Sequence, residues 1–448
     1  MGKIGIKDKV GYLVGDLAND LSFMMVTMYL MVFYTDVLGV SAAFVGMLFF
    51  CARIWDAFVD VMWGRFIDLR PMGKNGRFRP WFMRFSVPFL IIGILMFTKI
   101  PGMSDTFYLI YATLGYIIWG TLFSIVNIPY GSLASVMTSD PGERTSLSAF
   151  RNIGSTIAVI SIGVFGPLVL FVNNKADAER FVIAMVVIAV VSMICYILCY
   201  NMTTERIVKK TNTKAESNFK ETLRGLGKNR AFLVLILVSI LLMFGSLSVL
   251  NAYLYKDYFH NVKAMSIVSV LGVLNILIIP PLVPKITKKY GKKESISVML
   301  LLASITYFML FLLPITDVYV FIGISFIGNL FAAFFSFAVW AFVGEVIDYH
   351  EYITDKREDG TVYSFYTFSR KIGQAITGGA VGFLLAAIGY VQKAPQQVAD
   401  VALNIKRVAT LVPSISYFLM FLALTFLYPL TKAKTQEIAK NLEERRSS

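Results

Sequence analysis

Charge is scarce in this chain of 448 residues: Asp, Glu, Lys and Arg make up 16% of it, against about 25% in a soluble domain. Hydrophobic residues make up 57%, more apolar surface than one water-facing core of this length takes up. The excess must face lipid. Histidine is almost missing, with a solitary His260 and His350, and the cysteines are Cys51, Cys195 and Cys199. Cys195 and Cys199 share a helix face, but no His or further Cys completes a metal set, so all three read as thiols buried in apolar spans. A phosphate-binding loop is absent, which argues against ATP-driven transport. No Ser–His–Asp set or other paired catalytic arrangement is readable, and the expectation is a protein that is no enzyme and needs no cofactor. No basic soluble domain is present to bind nucleic acid, and no soluble signalling domain to make the chain a sensor. The first apolar run is too long for a cleavable signal and leads straight into others.

What the chain does have is apolar runs. A hydrocarbon core of about 30 Å takes about 20 residues of helix. Such runs lie near 11–35, 42–67, 81–100, 107–136, 148–172, 181–201, 231–256, 265–284, 295–315, 318–347, 362–390 and 409–430. The net charge of +14 is unevenly spread over the loops between them. One set holds Arg70, Lys74, Arg77 and Arg79, then Arg144, the basic 202–230 stretch, Lys285 to Lys293, and Lys356 with Arg357. The alternate set holds little: Lys99, Lys175 with Arg180, Lys256 with Lys263, and Lys393 with Lys406 and Arg407. Positive loops stay inside, which puts the first set and both termini in the cytoplasm of a multi-pass bacterial inner-membrane protein. Anionic lipid heads are a secondary partner of those loops.

The 202–230 stretch separates six spans from six. The loop RFIDLRPMGKNGR after span 2 has a positional counterpart, PKITKKYGKKE, after span 8. Two parallel six-helix repeats are the plan of major facilitator transporters. The expected fold is therefore an all-α membrane protein of twelve helices, in two six-helix halves around a central cavity. The expected divisions are 1–201, a linker at 202–230, a second bundle at 231–431 and a tail at 432–448.

Ionisable side chains within spans cost about 2.5–3.5 kcal/mol each on insertion scales and mark cavities or partners. Asp16 and Asp20, four residues apart, share a face of span 1. Asp16 lies near the interface, where simple hydration would account for it; Asp20 is deeper and reads as cavity-facing. Span 2 sets Arg53, Asp56 and Asp60 on one stripe. Two carboxylates and one guanidinium leave a negative surplus that suits a small cation, and close carboxylates favour sharing a proton. Na⁺ or H⁺ fits equally, and a purely structural ion network is the alternative. Span 11 carries Arg370 and Lys371 after Tyr363, Tyr366 and Thr367, with Lys371 too deep to reach the headgroups easily. Trp119, Tyr130 and Trp340 lie in spans among other aromatics that can pack, form interface belts or offer platforms to a sugar ring.

Four stretches carry a resemblance: Met28 to Asp68 (MYLMVFYTDVLGVSAAFVGMLFFCARIWDAFVDVMWGRFID), YIIWGTLFSIVNIPYGSL at 116–133, ERTSLSAFRNIGS at 143–155 and EVIDYHEYITDKREDGTVYSFYTFSRKIGQ at 345–374. Spread over nearly the whole chain, they resemble the glycoside–pentoside–hexuronide:cation symporter family. The resemblance implies a major facilitator fold and symport of a glycoside, pentoside or hexuronide with a monovalent cation, in a protein that works as a monomer. By motif it implies Asp56 and Asp60 as cation ligands, with Na⁺ as one candidate ion and Thr121 as their neighbour. It implies Asp20, Asn127, Arg151 and Lys371 around the sugar, with Trp119, Tyr130 and Trp340 as aromatic candidates. Arg53 and Arg370 are candidates for interhelical or gating contacts. Asn127 stands where the family carries a carboxylate before Ile-Pro, and Gly131 where it carries an aromatic. Both departures argue against melibiose itself. Arg370 beside Lys371 suits a uronate carboxylate, a membrane-embedded Asp or the cytoplasmic side. A lysolipid or other amphiphile carrier of the same fold is the alternative, but the polar residues in spans 1, 2, 4, 5 and 11 speak against an apolar groove.

Overall fold

Local sequence signals fix where the helices begin. In the computed structural model, which describes residues 4–68, 73, 76–138, 140–206, 225–354, 359–394 and 396–447, Asp8 accepts the Gly5 N–H at 3.2 Å and opens α1, Ile6–Val32. Side-chain caps satisfy amides that the first turn of a helix leaves without partners. Ser104 caps α4 (Asp105–Met137) through Phe107 N, and Asp140, before Pro141, caps α5 (Pro141–Val169) through Glu143 N. Asp177 caps α6 (Ala178–Met202) through Arg180 N, and Asn229 caps α7 (Arg230–Gly245) through Phe232 N. Between these lie α2 (Ala42–Asp68) and α3 (Arg79–Met96). After them come α8 (Ser248–Tyr253), α9 (Ala264–Tyr290), α10 (Lys292–Leu312), α11 (Val318–Thr354), α12 (Asp359–Ala387), α13 (Ala399–Leu422) and α14 (Lys432–Ser447).

The chain forms two compact units. The first comprises Met1–Thr213 with Tyr255–Ser269 and Gly382–Val398; the second comprises Lys214–Leu254, Val270–Val381 and Ala399–Ser448. In the first, α1 is the central helix, packed on α5 and α6, while α3 packs on α4 and α6, and α2 on α4. In the second, α10 packs on α11 and α13, and α13 on α7. Association of helices in lipid relies on close backbone approach rather than on hydrophobic burial. Gly154 shows this: a methyl there would stand 2.3 Å from the Leu13 carbonyl oxygen, so α1 and α5 meet at this position only without a side chain. The outer faces are apolar, as Ile183, Val187, Val190 and Ile194 of α6 illustrate.

Eleven helical segments among the described residues are long and apolar enough to cross a membrane. The expected span at 362–390 is present as α12, 29 residues long, but its Arg370, Lys371 and hydroxyl side chains dilute its apolar character. The first span is longer than expected: α1 passes into a π-helical turn, Phe33–Leu38, and stops at Gly39 with φ +83°. The seventh is broken, not continuous over 231–256. It ends at Gly245, restarts as α8 and finishes in a π-helical turn, Leu254–Tyr258. Tyr417 donates its hydroxyl to the Gly245 carbonyl at 2.9 Å, supplying a partner to an oxygen the break releases. The fifth ends at Val169, and a short hairpin follows, β1 (Phe171–Val172) paired antiparallel with β2 (Lys175–Ala176).

Of the expected linker, residues 207–224 lie outside the described residues, as do Arg70, Lys74, Lys356 and Arg357. The rest of the first basic loop is a built turn. Arg77 donates to the Ile67 carbonyl at 3.0–3.1 Å and closes the end of α2. The Glu205 carboxylate accepts the amides of Arg77, Phe78 and Arg79 at 2.7–2.9 Å, at the start of α3. Each charge sits at the helix end whose dipole it complements.

Candidate functional site

Along α2, carboxylates at a spacing of four share a face, and the structure sets the first of them, Asp56, against α4. The Arg53 guanidinium lies 3.5 Å from the Asp56 carboxylate and 5.4 Å from the Phe23 ring centroid. Asp56 reaches α4 at Gly120, where a methyl would come within 2.6 Å of Oδ1. The glycine is the space the carboxylate occupies. The Asp56 side chain is 18% exposed, and Asp60, one turn on, is half-buried. Thr121, beside Gly120, donates its hydroxyl to the Ile117 carbonyl at 2.9 Å and accepts the Trp55 indole N–H at 3.0 Å. Thr121 thus faces α2 through Trp55, with one lone pair to spare. Among the described residues no group of three or more His, Cys, Asp and Glu side chains could hold a metal. Carboxylates and hydroxyl oxygens of this kind are donors suited to a hard monovalent ion or a proton.

A second polar centre joins α1, α4 and α5. Asp16 Oδ1 accepts the Arg151 Nε–H at 2.8 Å. Asp16 is 3% exposed, so the hydrated interfacial setting open to it from sequence is corrected: the carboxylate is buried and paired. The Arg151 side chain keeps 38% of its surface exposed, and its guanidinium carbon lies 5.6 Å from the Tyr130 ring centroid. Asp20 is half-buried one turn further along α1, within hydrogen-bonding reach of Ser155. Asn127 is half-buried on α4. Asn19, between the two acidic residues, accepts the Tyr196 hydroxyl at 2.8 Å and donates to the Gly15 carbonyl, which holds α1 to α6.

Two aromatic expectations are corrected. Trp119 is 1% exposed and enclosed by Phe23, Phe89 and Phe123. Tyr130 is fully buried, stacked on Tyr12 at 4.9 Å, and donates to the Tyr12 carbonyl at 2.5 Å. Both rings fill the bundle core and offer no platform to a solute. A methyl built at Gly131 would meet Arg151 Nη1 at 3.7 Å, an ordinary contact.

In the second unit, Trp340 is 44% exposed and meets Tyr366 edge to face at 5.5 Å. On α12, Arg370 is half-buried and Lys371 exposed. The side chains of Tyr363 and Thr367 lie outside the described residues. An ion pair joins Lys292 to Glu345 at 2.9 Å.

Sequence reasoning missed one buried network. In the first unit, Lys256 donates to Asp36 and, at 2.9 Å, to the Tyr390 hydroxyl, which in turn donates to Asp36 at 2.8 Å. Asp257 stands 3.4 Å from the same amine. Lys256 had counted only as loop charge, because its partners lie 220 and 134 residues away along the chain. Only a buried lysine close to a span end hinted at it.

Comparison with known proteins follows from this geometry. The profile of the family described as MFS/sugar transport protein matches residues 11–432. The chain is 32% identical to the uncharacterized symporter YjmB of Bacillus subtilis, over 99% of this chain and 96% of that one. It is 30% identical to the glucuronide carrier protein homolog of Escherichia coli, over 98% and 95%. Among solved structures, a bacterial homolog of the human lysosomal transporter Spinster, inward-facing and unoccupied, superimposes with a TM-score of 0.70, covering 98% of this chain and 99% of that one, at 13% identity. That likeness shows the fold.

Proposed function

The chain belongs to the MFS/sugar transport protein family, and from that premise we propose that it is a symporter which couples entry of a glycoside, pentoside or hexuronide to a monovalent cation, Na⁺ or H⁺, by alternating access. The chain is a multi-pass major facilitator transporter of sugar-like solutes, and not an enzyme.

One observation supports the coupling most: Asp56, one turn from Asp60 on α2, fits into the space Gly120 leaves on α4, with Arg53 at 3.5 Å. Carboxylates half-buried within a span are costly, and a visiting cation lowers that cost. With the ion bound, the α1, α4 and α5 centre gains a less negative neighbour, and Asp20, Asn127 and Arg151 are free to face sugar hydroxyls. Arg151 is anchored at Nε by Asp16, and its side chain, 38% exposed, keeps donor surface for a hydroxyl or a carboxylate. The glucuronide named for one relative makes a uronide the first cargo to try. The protein acts in the bacterial inner membrane as a monomer, with both termini cytoplasmic and lipid as its remaining partner.

The test is uptake into proteoliposomes of radiolabelled glucuronides and neutral glycosides, under an imposed Na⁺ gradient or an imposed pH gradient. Accumulation above equilibrium with one gradient and not the other supports symport and names the ion. Equilibration with no accumulation under either gradient overturns the coupling.

A further inference from the structure

Lysine is uncommon on the loops that charge distribution assigns to the outer face, yet three lysines meet there. A cavity of about 380 Å³ in the first unit is lined by Lys175 of the hairpin, Lys256 at the end of the seventh span and Lys393 of the loop after α12. Like charges gathered in one cavity repel, and such a cluster is kept where something negative offsets it. Lys256 has that offset in Asp36 and Asp257. Lys175 and Lys393 make no ion pair among the described residues.

Backbone geometry singles out the same place independently. Among the described residues, the non-glycine positions with left-handed φ are Asn173 at 49°, Asn174 at 61°, His260 at 49° and Lys393 at 55°. All four line this cavity. The asparagines are explained by the two-residue turn between β1 and β2, where such angles are favoured. His260 and Lys393 are not, and strain of this kind, about 1–3 kcal/mol per residue, gathers at ligand sites. The surroundings hold the strained residues in place. Asn174 donates to the His260 carbonyl and accepts the Val262 amide at 3.1 Å, which ties the hairpin to the loop before α9. Lys393 is laid across Gly39, with its amine 6.0 Å from the Tyr108 ring.

We propose that this cavity binds the anionic group, carboxylate or sulfonate, of a sugar acid on the outer face before translocation. Lys175 and Lys393 supply the charge, and the side chains of Asn173 and His260 supply hydrogen bonds. The proposal rests on the transport reading above and narrows its cargo to an acidic sugar. Lysine recognises an anion as a point charge and not by planar geometry, so the site selects for charge and tolerates differences in ring and aglycone.

The test is made on purified protein with no gradient, so its outcome is separate from that of the uptake assay. Cys51, the one exposed cysteine, is replaced by Ser, and Asn173→Cys is introduced at the rim. Modification rates are then compared for a sulfonate-bearing and a trimethylammonium-bearing methanethiosulfonate. The expected result is a several-fold faster reaction with the anionic reagent at low salt, as a focused positive potential gives about tenfold or more. That preference should collapse in Lys175→Gln/Lys393→Gln. Sodium glucuronate should slow the labelling more than a neutral glucoside at matched ionic strength. Gln396→Cys, also lining the cavity, repeats the test if the hairpin variant does not fold. Equal rates for the two reagents, a preference unchanged by the lysine substitutions, or equal protection by the neutral sugar would each overturn the proposal.

Discussion

The Nε of Arg151 lies 2.8 Å from Oδ1 of Asp16, a pair that joins α5 to α1 with the carboxylate buried and the arginine partly exposed. Asp16 holds the arginine, and Asp20, one turn away, is left for other work. Removing one partner of a fully buried pair costs about 3–5 kcal/mol. Arg151 is 38% exposed, and water replaces part of what it loses, so Asp16→Asn is expected to cost about 1–2 kcal/mol. Thermal unfolding of the purified protein measures this. Asp20→Asn should leave the unfolding temperature within a degree or two while abolishing sugar-dependent stabilisation, and the reverse ranking would exchange the two roles.

Gly120 gives way to the Asp56 carboxylate. Gly120→Ala places a methyl 2.6 Å from Oδ1, closer than carbon and oxygen approach, and the carboxylate must swing away. Gradient-driven uptake should fall at least tenfold with normal expression. Gly131→Ala, whose methyl stands 3.7 Å from Arg151, should change uptake less than twofold. Equal tolerance of both methyls would show that Asp56 has no fixed place against α4.

Lys256 neutralises two carboxylates at once. Lys256→Met leaves Asp36 and Asp257 facing each other without a cation, a loss of about 3–5 kcal/mol where the charges are buried. Asp36→Asn leaves Lys256 still paired with Asp257 and should cost less than half as much. Adding Asp36→Asn to Lys256→Met should restore part of the stability, the non-additive sign of direct coupling. Strictly additive unfolding free energies would mean the contact contributes nothing.

Much of the architecture was legible in sequence because lipid imposes a length on apolar runs; the start of α5 at Pro141, set by the Asp140 cap, was not, since the apolar run begins only near 148. The face shared by Arg53, Asp56 and Asp60 followed from helical spacing alone. The partner of Arg151 did not. Asp16 and Asp20 present the same chemistry on the same face, and the choice between them depends on a helix 135 residues away. Trp119 and Tyr130 were misjudged for a related reason. In a membrane helix both lipid-facing and core-facing sides are apolar, so nothing in the sequence says which aromatic is sealed by Phe23 and Phe89. The break at Gly245 escaped notice because glycine is common in spans, and only the Tyr417 contact shows it as a stop.

The central claim is that Asp56 and Asp60 bind the coupling cation, and it is tested most directly by separating exchange from accumulation in Asp56→Asn. Proteoliposomes loaded with unlabelled substrate should exchange it for labelled substrate across the membrane in both wild type and variant. Under an imposed Na⁺ or pH gradient, only the wild type should concentrate the label. An Asp56→Asn protein that still drives the label uphill would contradict the account.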